Sequence, residues 1–423
     1  MTGPCRPSAS YWLLAWLLPF LPATAQQWDV FDMATAGFPS NTVKAVVEDH
    51  DGVIWAATDW GLCRYDGDQW TVLQQGGSGL PDNSLNCLAV DGDGRLWIGT
   101  TSAGIAILDG EDWTYLTTEN SPLVIDDING ITIDHRGWAW IATQIGLQCS
   151  TGEEWYLYND TPESHLGYQF WGPHVRNTAV RADGLVAVAT MNGGLTYISE
   201  TDFFYYTSFE HNFPDNSANA IVFDEAGDRW IACPAGGLIR HAGPHIGGPW
   251  LQYNAASAGF PDNTLLCLVI DPQGRKLAGT ETAGILRFTS AVDWDLLGTS
   301  TGLPDPSVRC LMIDSGGGLW AGTWTGGLAR WRNYTSVGGE MEVPEQGVEV
   351  FPVPFQDHFT VVLPSSVDAL AWDLMDASGR VVLNGRFAPG RVQQVVAPGM
   401  SSGIFVLRVR SNTDRWHVRL VRD

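Results

Sequence analysis

Hydrophobic and polar positions repeat along the first three quarters of the chain. Each repeat contains four short runs, either apolar or alternating between apolar and polar residues, and Gly, Asp and Asn separate the runs. In the second repeat the runs are 85–90, 96–100, 105–108 and 113–116. Strand-length runs bounded by turn residues predict an antiparallel β-meander and argue against helices.

Seven copies of this pattern align on a Thr or Cys at the end of the second run. The aligned residues are Thr58, Thr100, Thr143, Thr190, Cys233, Thr280 and Thr323. Four strands in each of seven copies predict an all-β fold, a seven-bladed β-propeller. In five copies a tryptophan lies three residues before the aligned position, and we expect it to fill the wedge between blades. An Asp-x-x-Gly segment is expected to form the hairpin turn between the first two strands.

The chain also carries a signal for closing the ring. Residues 28–31, Trp-Asp-Val-Phe, precede the first copy with the spacing of a fourth strand, whereas the seventh copy ends near Tyr334 without a clear one. We therefore expect the N-terminal strand to complete the last blade and remove its open edge.

Cysteines support the same interpretation. Cys87, Cys267 and Cys310 occupy one equivalent position of the first strand, where three other copies carry Ala or Gly. Equivalent positions in different blades lie around a ring, so a disulfide would need blades that are unusually close. We expect buried, unpaired thiols, although six cysteines beyond the leader could formally pair.

The ends of the chain predict two further segments. Arg6, the apolar stretch 11–21 and the small residues Ala23 and Ala25 are typical of a secretory signal peptide. No later stretch of about 20 apolar residues predicts a transmembrane helix. The predicted organisation is a signal peptide at 1–25, the propeller at 26–335, a linker at 336–347 and a small β-sandwich domain of immunoglobulin-like type at 348–423.

The net charge of −24 narrows the choice of partners. The chain has 23 basic and 47 acidic residues, and the excess acid lies in residues 26–344. Only two basic residues are lysines, and no basic run interleaves with aromatic residues. These features exclude nucleic acid as an expected partner. The acidity also argues against anionic ligands unless a cation bridges them.

The repeat resembles a known family. Its second copy reads Gly-Leu-Pro-Asp-Asn-Ser at 79–84, Asp-Gly-Asp-Gly at 91–94 and Leu-Trp-Ile-Gly-Thr at 96–100. This succession resembles the two-component regulator propeller repeat of periplasmic sensor regions in bacterial hybrid histidine kinases. The resemblance implies an extracytoplasmic propeller of a type associated with sensing, often of glycans. Because the chain has no kinase, receiver or helix-turn-helix region, we do not expect it to signal by itself.

The C-terminal segment resembles a second family. It contains Val-Phe-Pro-Val-Pro-Phe at 350–355, a strand and Ser-Gly turn at 373–382, and Ser-Gly-Ile-Phe-Val-Leu-Arg-Val at 402–409. These features resemble the type A C-terminal sorting domain of the type IX secretion system of Bacteroidetes-type bacteria, although Val353 stands where the family usually has Asn. The resemblance implies handling by the type IX machinery, export across the outer membrane, and surface attachment or release.

No motif predicts catalysis, a metal or a cofactor. The chain lacks His-Glu-x-x-His, Gly-x-Ser-x-Gly, a phosphate-binding loop and Cys-x-x-Cys. The acidic segments 49–52 and 91–94 could suggest calcium, but they lack the later ligands of a calcium loop and are read as turns. We therefore assign no catalytic residue, while noting that propeller enzymes can take single residues from several blades.

Ligand-binding residues are expected where loops open around the channel. In a propeller, the connection into each first strand and the connection between the second and third strands lie on one face. Aromatic and amide side chains there suit sugar rings. Trp60 and Trp324 follow a Thr at positions that we expect to be equivalent in the neighbouring blades 1 and 7. The loop candidates are Asp59, Trp60, Gln144, Asn192, Glu281 and Trp324. An extra segment at 159–176 contributes Tyr168, Phe170, Trp171 and His174, and could equally plug the channel or cover the fourth blade.

Three functions remain open at the level of sequence. The leading hypothesis is an exported, non-enzymatic propeller that binds an extracellular glycan, peptide or protein on its channel face. The first alternative is a propeller hydrolase or lyase acting on polysaccharide, with acids such as Asp59 and Glu281. The second is a structural or adhesion module whose propeller displays loops.

Overall fold

The computed structural model describes two parts of the chain. The first comprises residues 28–162, 164–165, 172–199, 203–209, 211–243, 250–290, 293–332 and 334, and the second comprises 349–351, 358–362, 371–376, 380–387, 392–396, 403–410 and 415–422. The predicted signal peptide at 1–25 and linker at 336–347 lie outside the described residues. Within those residues no helix is long and apolar enough to cross a membrane.

Seven four-stranded antiparallel sheets form the first part, as the repeats predict. A short strand, β1, spans Asp29–Phe31. Blade 1 contains β2 (Val43–Glu48), β3 (Ile54–Thr58), β4 (Gly61–Tyr65) and β5 (Trp70–Leu73). Blade 2 contains β6 (Leu85–Val90), β7 (Leu96–Thr100), β8 (Ile105–Asp109) and β9 (Asp112–Leu116). Blade 3 contains β10 (Ile128–Ile133), β11 (Ala139–Thr143), β12 (Gly146–Ser150) and β13 (Trp155–Tyr158).

The remaining blades repeat this arrangement. Blade 4 contains β14 (Val175–Val180), β15 (Val186–Thr190), β16 (Leu195–Ile198) and β17 (Phe203–Tyr206). Blade 5 contains β18 (Ala220–Phe223), β19 (Arg229–Cys233), β20 (Gly237–His241) and β21 (Trp250–Tyr253), followed by a helical turn, α1 (Ala255–Ala258). Blade 6 contains β22 (Leu265–Ile270), β23 (Lys276–Thr280), β24 (Ile285–Ser290) and β25 (Asp293–Leu297), followed by a 3-10 turn at Thr299–Thr301. Blade 7 contains β26 (Val308–Ile313), β27 (Leu319–Thr323) and β28 (Leu328–Trp331).

The N-terminal strand closes the ring. Strand β1 pairs antiparallel with β28, with Val30 opposite Ala329, and becomes the fourth strand of blade 7. Trp28, immediately before it, is fully buried in a cluster that includes Leu297 and Trp331. The predicted closure is therefore confirmed, and blade 7 has four strands like the other six blades.

An aspartate at the first hairpin turn bonds to the tryptophan six residues later. The carboxylate of Asp91 accepts a hydrogen bond from Trp97 Nε1 at 2.8 Å and two more from backbone N–H groups of its own turn. The same pairing occurs as Asp49–Trp55, Asp134–Trp140, Asp224–Trp230 and Asp314–Trp320. Trp55 packs with Leu85 of the next blade, so the predicted wedge role is confirmed. The bond fixes the depth at which each indole enters the wedge.

Two blades depart from this pairing. In blade 4 both members are replaced, because Arg181 and Ala187 occupy the two positions. Blade 6 retains the aspartate, Asp271, but has Leu277 in place of tryptophan. These two copies therefore differ from the others in one specific buried contact and keep the same architecture.

The cysteine positions follow a size rule across the first two strands. Cys87, Cys267 and Cys310 each lie opposite a glycine, in the pairs Cys87–Gly99, Cys267–Gly279 and Cys310–Gly322. The other four blades place Ala opposite this position, which is Ala or Gly in three of them and the larger Asn177, an exception to the rule, in blade 4. A Cβ added at Gly99 would lie 2.3 Å from the Cys87 sulfur, so the thiol occupies the space of the absent methyl group. All six described cysteines are unpaired, as predicted, and burial raises the pKa of Cys87 and Cys267 to about 12.

The second part of the chain contains seven antiparallel strands in two sheets. One sheet contains β29 (Glu349–Phe351), β30 (His358–Val362) and β33 (Val392–Val396). The other has the order β32 (Val381–Arg386), β31 (Ala371–Asp376), β34 (Gly403–Arg410) and β35 (Arg415–Arg422). This is the strand number expected of a small sandwich, and the predicted all-β class is confirmed for both parts.

Candidate functional site

The first strands of the seven blades surround the central channel. Each contacts the first strands of its two neighbours, from β2 through β26 and back to β2. In six of them the pairing with the second strand breaks after the first residue, as between Val43 and Ala45. We call the residues at this position in the seven blades the mouth ring. They are Lys44, Asn86, Asn129, Arg176, Asn219, Leu266 and Arg309.

Each mouth-ring residue has a partner position 15 residues later, in the loop between the second and third strands. The strand register explains this spacing. Val43 pairs with Thr58, and the residues that follow these two are Lys44 and Asp59. The seven loop positions are Asp59, Thr101, Gln144, Met191, Pro234, Glu281 and Trp324. The mouth of each blade thus presents one strand residue and one loop residue.

Direct contacts join these partners in four blades. Lys44 Nζ lies 2.6 Å from Asp59 Oδ1. Thr101 Oγ1 lies 3.5 Å from Asn86 Oδ1. An Arg176 nitrogen lies 3.3 Å from the Met191 sulfur, and the Arg309 guanidinium carbon lies 4.1 Å from the centre of the Trp324 indole.

The asparagines of the mouth ring connect neighbouring blades. Asn86 Nδ2 donates to the Ile128 carbonyl at 3.1 Å, and Asn129 Nδ2 donates to the Val175 carbonyl at 2.8 Å. Asn219 makes the equivalent bond to the carbonyl of Leu265 at 2.7 Å. These amides hold the mouth in one shape. The oxygens of Asn86 and Asn219 accept hydrogen bonds from Lys44 and Arg176.

Two arginines of the mouth ring lack the acidic partners found elsewhere. Among the described residues, no carboxylate lies within 4.0 Å of Arg176 or Arg309, whereas Lys44 is paired with Asp59. Arg176 instead donates to the Asn219 side-chain oxygen. Burial lowers the pKa of the Arg176 guanidinium, although arginine remains charged in proteins at neutral pH. The mouth therefore contains two guanidinium charges without carboxylate partners.

A pocket of about 310 Å³ opens at the mouth between blades 2 and 4. It is lined by Asn86, Asn129, His174 and Arg176. Burial lowers the pKa of the His174 imidazole and nearby Arg176 lowers it further, while Asp127 opposes this shift. The imidazole is consequently neutral at pH 7, with one nitrogen that donates and one that accepts. The pocket offers convergent polar groups of both kinds.

Two larger concavities lie away from the mouth ring. One of about 510 Å³ is lined by Gly76, Gly77, Tyr115 and neighbouring loop residues. The other, of about 420 Å³, lies among hairpin turns and includes Asp49, Asp51 and Glu111. Neither concavity is lined by a cationic group together with side-chain amides and an imidazole. The smaller mouth pocket is therefore the stronger candidate for a ligand-binding site.

The predicted loop face is confirmed by four aspartates that tie its two sets of loops together. The carboxylate of Asp305 accepts from Thr325 N and Oγ1, at 2.6 and 2.5 Å. Equivalent bonds link Asp82 to Ser102, Asp262 to Thr282, and Asp215 to Ala235 and Gly236. These Pro-Asp segments are therefore structural clamps, and the residues that they position are better ligand candidates than the clamps themselves.

The candidate residues proposed from sequence divide into several groups. Asp59, Gln144, Glu281 and Trp324 are loop partners of the mouth ring, and His174 lines the mouth pocket. Asn192 follows Met191, the loop position of blade 4, and has a left-handed backbone conformation with φ of 63°. Tyr168, Phe170 and Trp171 lie outside the described residues.

The predicted equivalence of Trp60 and Trp324 is wrong. The strand register makes Asp59, and not Trp60, the counterpart of Trp324. The loop from Thr58 to Gly61 is one residue shorter than the loop from Thr323 to Gly327, which shifts the count. Both indoles are nevertheless accessible, since Trp60 is 61% and Trp324 44% exposed.

The mouth ring itself was not predicted from sequence. Its residue types differ between copies, so no motif marks it. The only sequence signal is its position, which lies next to the first residue of each first strand. Within the described residues, no cluster of three or more His, Cys, Asp or Glu side chains could hold a metal ion. Asp49 and Asp91, the acids considered for calcium, instead accept hydrogen bonds from turn backbone and tryptophan.

Comparison with known proteins identifies both parts of the chain. The two-component regulator propeller model matches residues 37–60, 79–102 and 302–325, and the secretion system C-terminal sorting domain model matches residues 349–422. No curated protein matches the sequence.

Several solved structures share the fold. The extracellular domain assigned to the hybrid two component system BT3049 of B. thetaiotaomicron is 18% identical, with a TM-score of 0.65 over 94% of this chain and 57% of that one. PorZ, a surface component of the type IX secretion system of Porphyromonas gingivalis, is 15% identical, with a TM-score of 0.54 over 93% of this chain and 61% of that one. The chain thus spans about three fifths of these structures.

A third similar structure is an enzyme. Virginiamycin B lyase from Staphylococcus aureus is 13% identical, with a TM-score of 0.57 over 72% of this chain and 98% of that one. At such identities these likenesses show the fold alone. The sorting domain places the protein at the cell surface or among secreted proteins. The chain is thus a β-propeller with two-component regulator propeller repeats that ends in a type IX secretion C-terminal sorting domain.

Proposed function

We propose that this exported propeller is a non-enzymatic binding module that holds an extracellular glycan at the mouth of its channel. The observation that carries the proposal is the mouth pocket, where Asn86, Asn129, His174 and Arg176 converge on about 310 Å³. Concave sites with a few convergent polar groups are the usual binding sites of small ligands. The BT3049 structure, an extracellular domain with the same fold, is compatible with a role outside the cell.

The hydrogen-bonding groups of the pocket suit sugar hydroxyls. Arg176 supplies donors, the neutral imidazole of His174 supplies a donor and an acceptor, and Asn129 directs its Nδ2 to the Val175 carbonyl, which leaves its Oδ1 as an acceptor. A hydroxyl both donates and accepts, so it can satisfy each of these groups. The exposed indoles of Trp60 and Trp324 add flat apolar surface of the kind on which sugar rings stack.

The predicted domain limits and the loop at 159–176 belong to the same proposal. We propose that residues 26–335 form the binding module and that 348–423 serve only in export. Tyr168, Phe170 and Trp171, which lie outside the described residues, remain candidates for contacting the same ligand. Peptide or protein ligands and a purely structural role are the alternative outcomes.

Binding to arrays of neutral and acidic glycans and of peptides tests the proposal. The full-length chain should retain at least one glycan, and Asn129→Trp, which fills the pocket, should abolish retention. His174→Ala should weaken it about tenfold. His135→Ala is the matched control, because His135 is an exposed histidine of a first-hairpin turn and lines no part of the mouth pocket.

The outcomes separate the alternatives. Retention that survives Asn129→Trp would contradict the mouth as the binding site. Shortened or unsaturated products, detected by mass spectrometry and lost in His174→Ala, would establish the enzymatic alternative. Retention of peptides alone would replace the glycan by a protein partner.

A further inference from the structure

The arginine and tryptophan of blade 7 form an arrangement that the binding of neutral sugars does not require. The Arg309 guanidinium carbon lies 4.1 Å from the centre of the Trp324 ring. Stacking occupies the flat face of a guanidinium and leaves its N–H edge available. Arg309 has no carboxylate within 4.0 Å among the described residues, and its Nε is buried without a hydrogen-bond partner there.

The loop that presents Trp324 is held in place before any ligand arrives. Trp324 N donates to the Ser307 carbonyl at 3.0 Å, and the Trp324 carbonyl accepts from Thr42 Oγ1 at 2.9 Å. The next residue, Thr325, is fixed by the Asp305 clamp. A preorganised aromatic platform loses little conformational entropy on binding. This rigidity is expected of a binding surface.

Two of the acids around the mouth are engaged by groups other than Arg309. Asp59 is paired with Lys44, and Asp127 accepts from Asn86 Nδ2 at 3.3 Å on the other side of the ring. Among the described residues, Glu281, the loop residue of blade 6, and Asp305, which holds Thr325, are the acids expected to oppose an anion beside Arg309. The net charge of −24 acts from farther away and is screened over about 8 Å at physiological salt.

We propose that the mouth binds an acidic polysaccharide through its uronic acid residues, with Arg309 and Trp324 as the acidic-sugar subsite. The Arg309 N–H edge binds the sugar carboxylate, and the exposed part of the Trp324 indole contacts the apolar face of the same ring. Arg176, the second guanidinium without a carboxylate partner, lies in the mouth pocket on the opposite arc of the ring. This inference rests on the proposed function and names its ligand class.

Titration of the full-length chain with polygalacturonate and with its methyl ester tests the proposal. The two polymers share a backbone and differ in charge. We expect the acid form to bind at least tenfold more tightly, and Arg309→Gln to remove that difference. Arg309→Lys should give an intermediate affinity, because it keeps the charge but loses the planar pair of donors. Trp324→Ala should weaken binding of the acid form about tenfold.

Two variants act as controls for charge and folding. Arg332→Gln removes an exposed arginine that pairs with Asp29 at 2.5 Å outside the mouth ring, and it should leave the affinity unchanged. Glu281→Gln should bind at least as tightly as the parent, so a loss there would contradict the proposal. Thermal unfolding of each variant excludes loss of fold as the cause.

Three results would overturn the inference. The first is equal affinity for the acid and the ester, which leaves the proposed glycan binding intact while removing the carboxylate subsite. The second is equal binding of poly-L-glutamate, which would show that charge alone is recognised. The third is no binding of polygalacturonate. If a neutral glycan is still retained through the mouth pocket, the proposed function stands without its acidic ligand class.

Discussion

The hydroxyl of Tyr334 donates a hydrogen bond of 2.9 Å to the carboxylate of Asp271. Asp271 is the turn aspartate of blade 6, where five other blades use a tryptophan of their own second strand as donor. Tyr334 follows the last strand of the ring, is 1% exposed and packs edge-on against Trp331. A residue at the end of the propeller thus replaces a donor that blade 6 lacks.

Removing this hydroxyl should destabilise the propeller. Tyr334→Phe leaves the ring in place but removes the tyrosine donor to Asp271, and we expect a loss of about 1–3 kcal/mol in the free energy of unfolding. Urea denaturation measures the change. Tyr115→Phe, which removes an exposed bond to the Gly79 carbonyl, is the control and should cost less than about 1 kcal/mol. Equal effects of the two changes would contradict a special role for Tyr334.

The cysteine–glycine size rule predicts a specific rescue. Gly99→Ala should destabilise by about 1–3 kcal/mol, because the new methyl group would overlap the Cys87 sulfur. The double variant Gly99→Ala/Cys87→Ala reproduces the Ala45–Ala57 pair of blade 1 and should recover much of the loss. Ile128, also within 3 Å of the added Cβ, limits the recovery. Additive effects in the double-mutant cycle would contradict the rule.

Low pH should weaken the blades through their turn aspartates. Burial alone would raise the pKa of Asp134, but hydrogen bonds from Arg136, Trp140 and the turn backbone bring it below its ordinary value. A carboxyl with a lowered folded-state pKa stabilises the fold above about pH 4 and loses that contribution as the pH falls through the folded-state value. The unfolding temperature should be level from pH 7 to 5 and fall below pH 4.

The variant Asp134→Asn tests the origin of this fall. It should unfold at a lower temperature than the parent at pH 7, with a shallower dependence on pH below 4. The turns of blades 2 and 5 carry Asp91 and Asp228, whose pKa values are also lowered against the effect of burial, so the dependence should be reduced and not abolished. An unfolding temperature unchanged at pH 3 would exclude this mechanism.

Ring closure should depend on Trp28 and on strand β1. Trp28→Ala removes a fully buried indole and should cost about 3–5 kcal/mol, whereas Trp60→Ala changes an indole that is 61% exposed and should cost little. Deleting residues 28–31 leaves blade 7 with an open edge, so size-exclusion chromatography should show association of copies. A monomer as stable as the parent would contradict the closure seen here.

Sequence alone predicted the features that each repeat carries within itself. The residues that form the blade strands, the turn aspartates and the buried thiols recur at nearly the same spacing in several copies, as Cys87 and Leu88 of β6 do. The mouth ring could not be predicted in this way, because Lys44 and Asn86 become neighbours only when blades 1 and 2 pack against each other. Their residue types also vary between copies, so no repeated motif marks them.

The error over Trp60 has a similarly local cause. A loop one residue shorter in blade 1 shifts the count from Thr58, and only the pairing of Val43 with Thr58 shows which residue faces Lys44. The Tyr334–Asp271 bond was hidden for another reason. It joins residues 63 positions apart and has no counterpart in the other copies.

The pairing of β1 with β28 also sets an order of events for a chain that is synthesised from its N-terminus. Strand β1, Asp29–Phe31, is made before the blades and has no strand partner until Leu328–Trp331 has been made. Blades 1 to 6 can form their hairpins as the chain grows, but the circle cannot be completed until nearly the whole propeller is present. A chain truncated within the propeller would keep one unpaired strand at its start, so a closed ring shows that the propeller is whole.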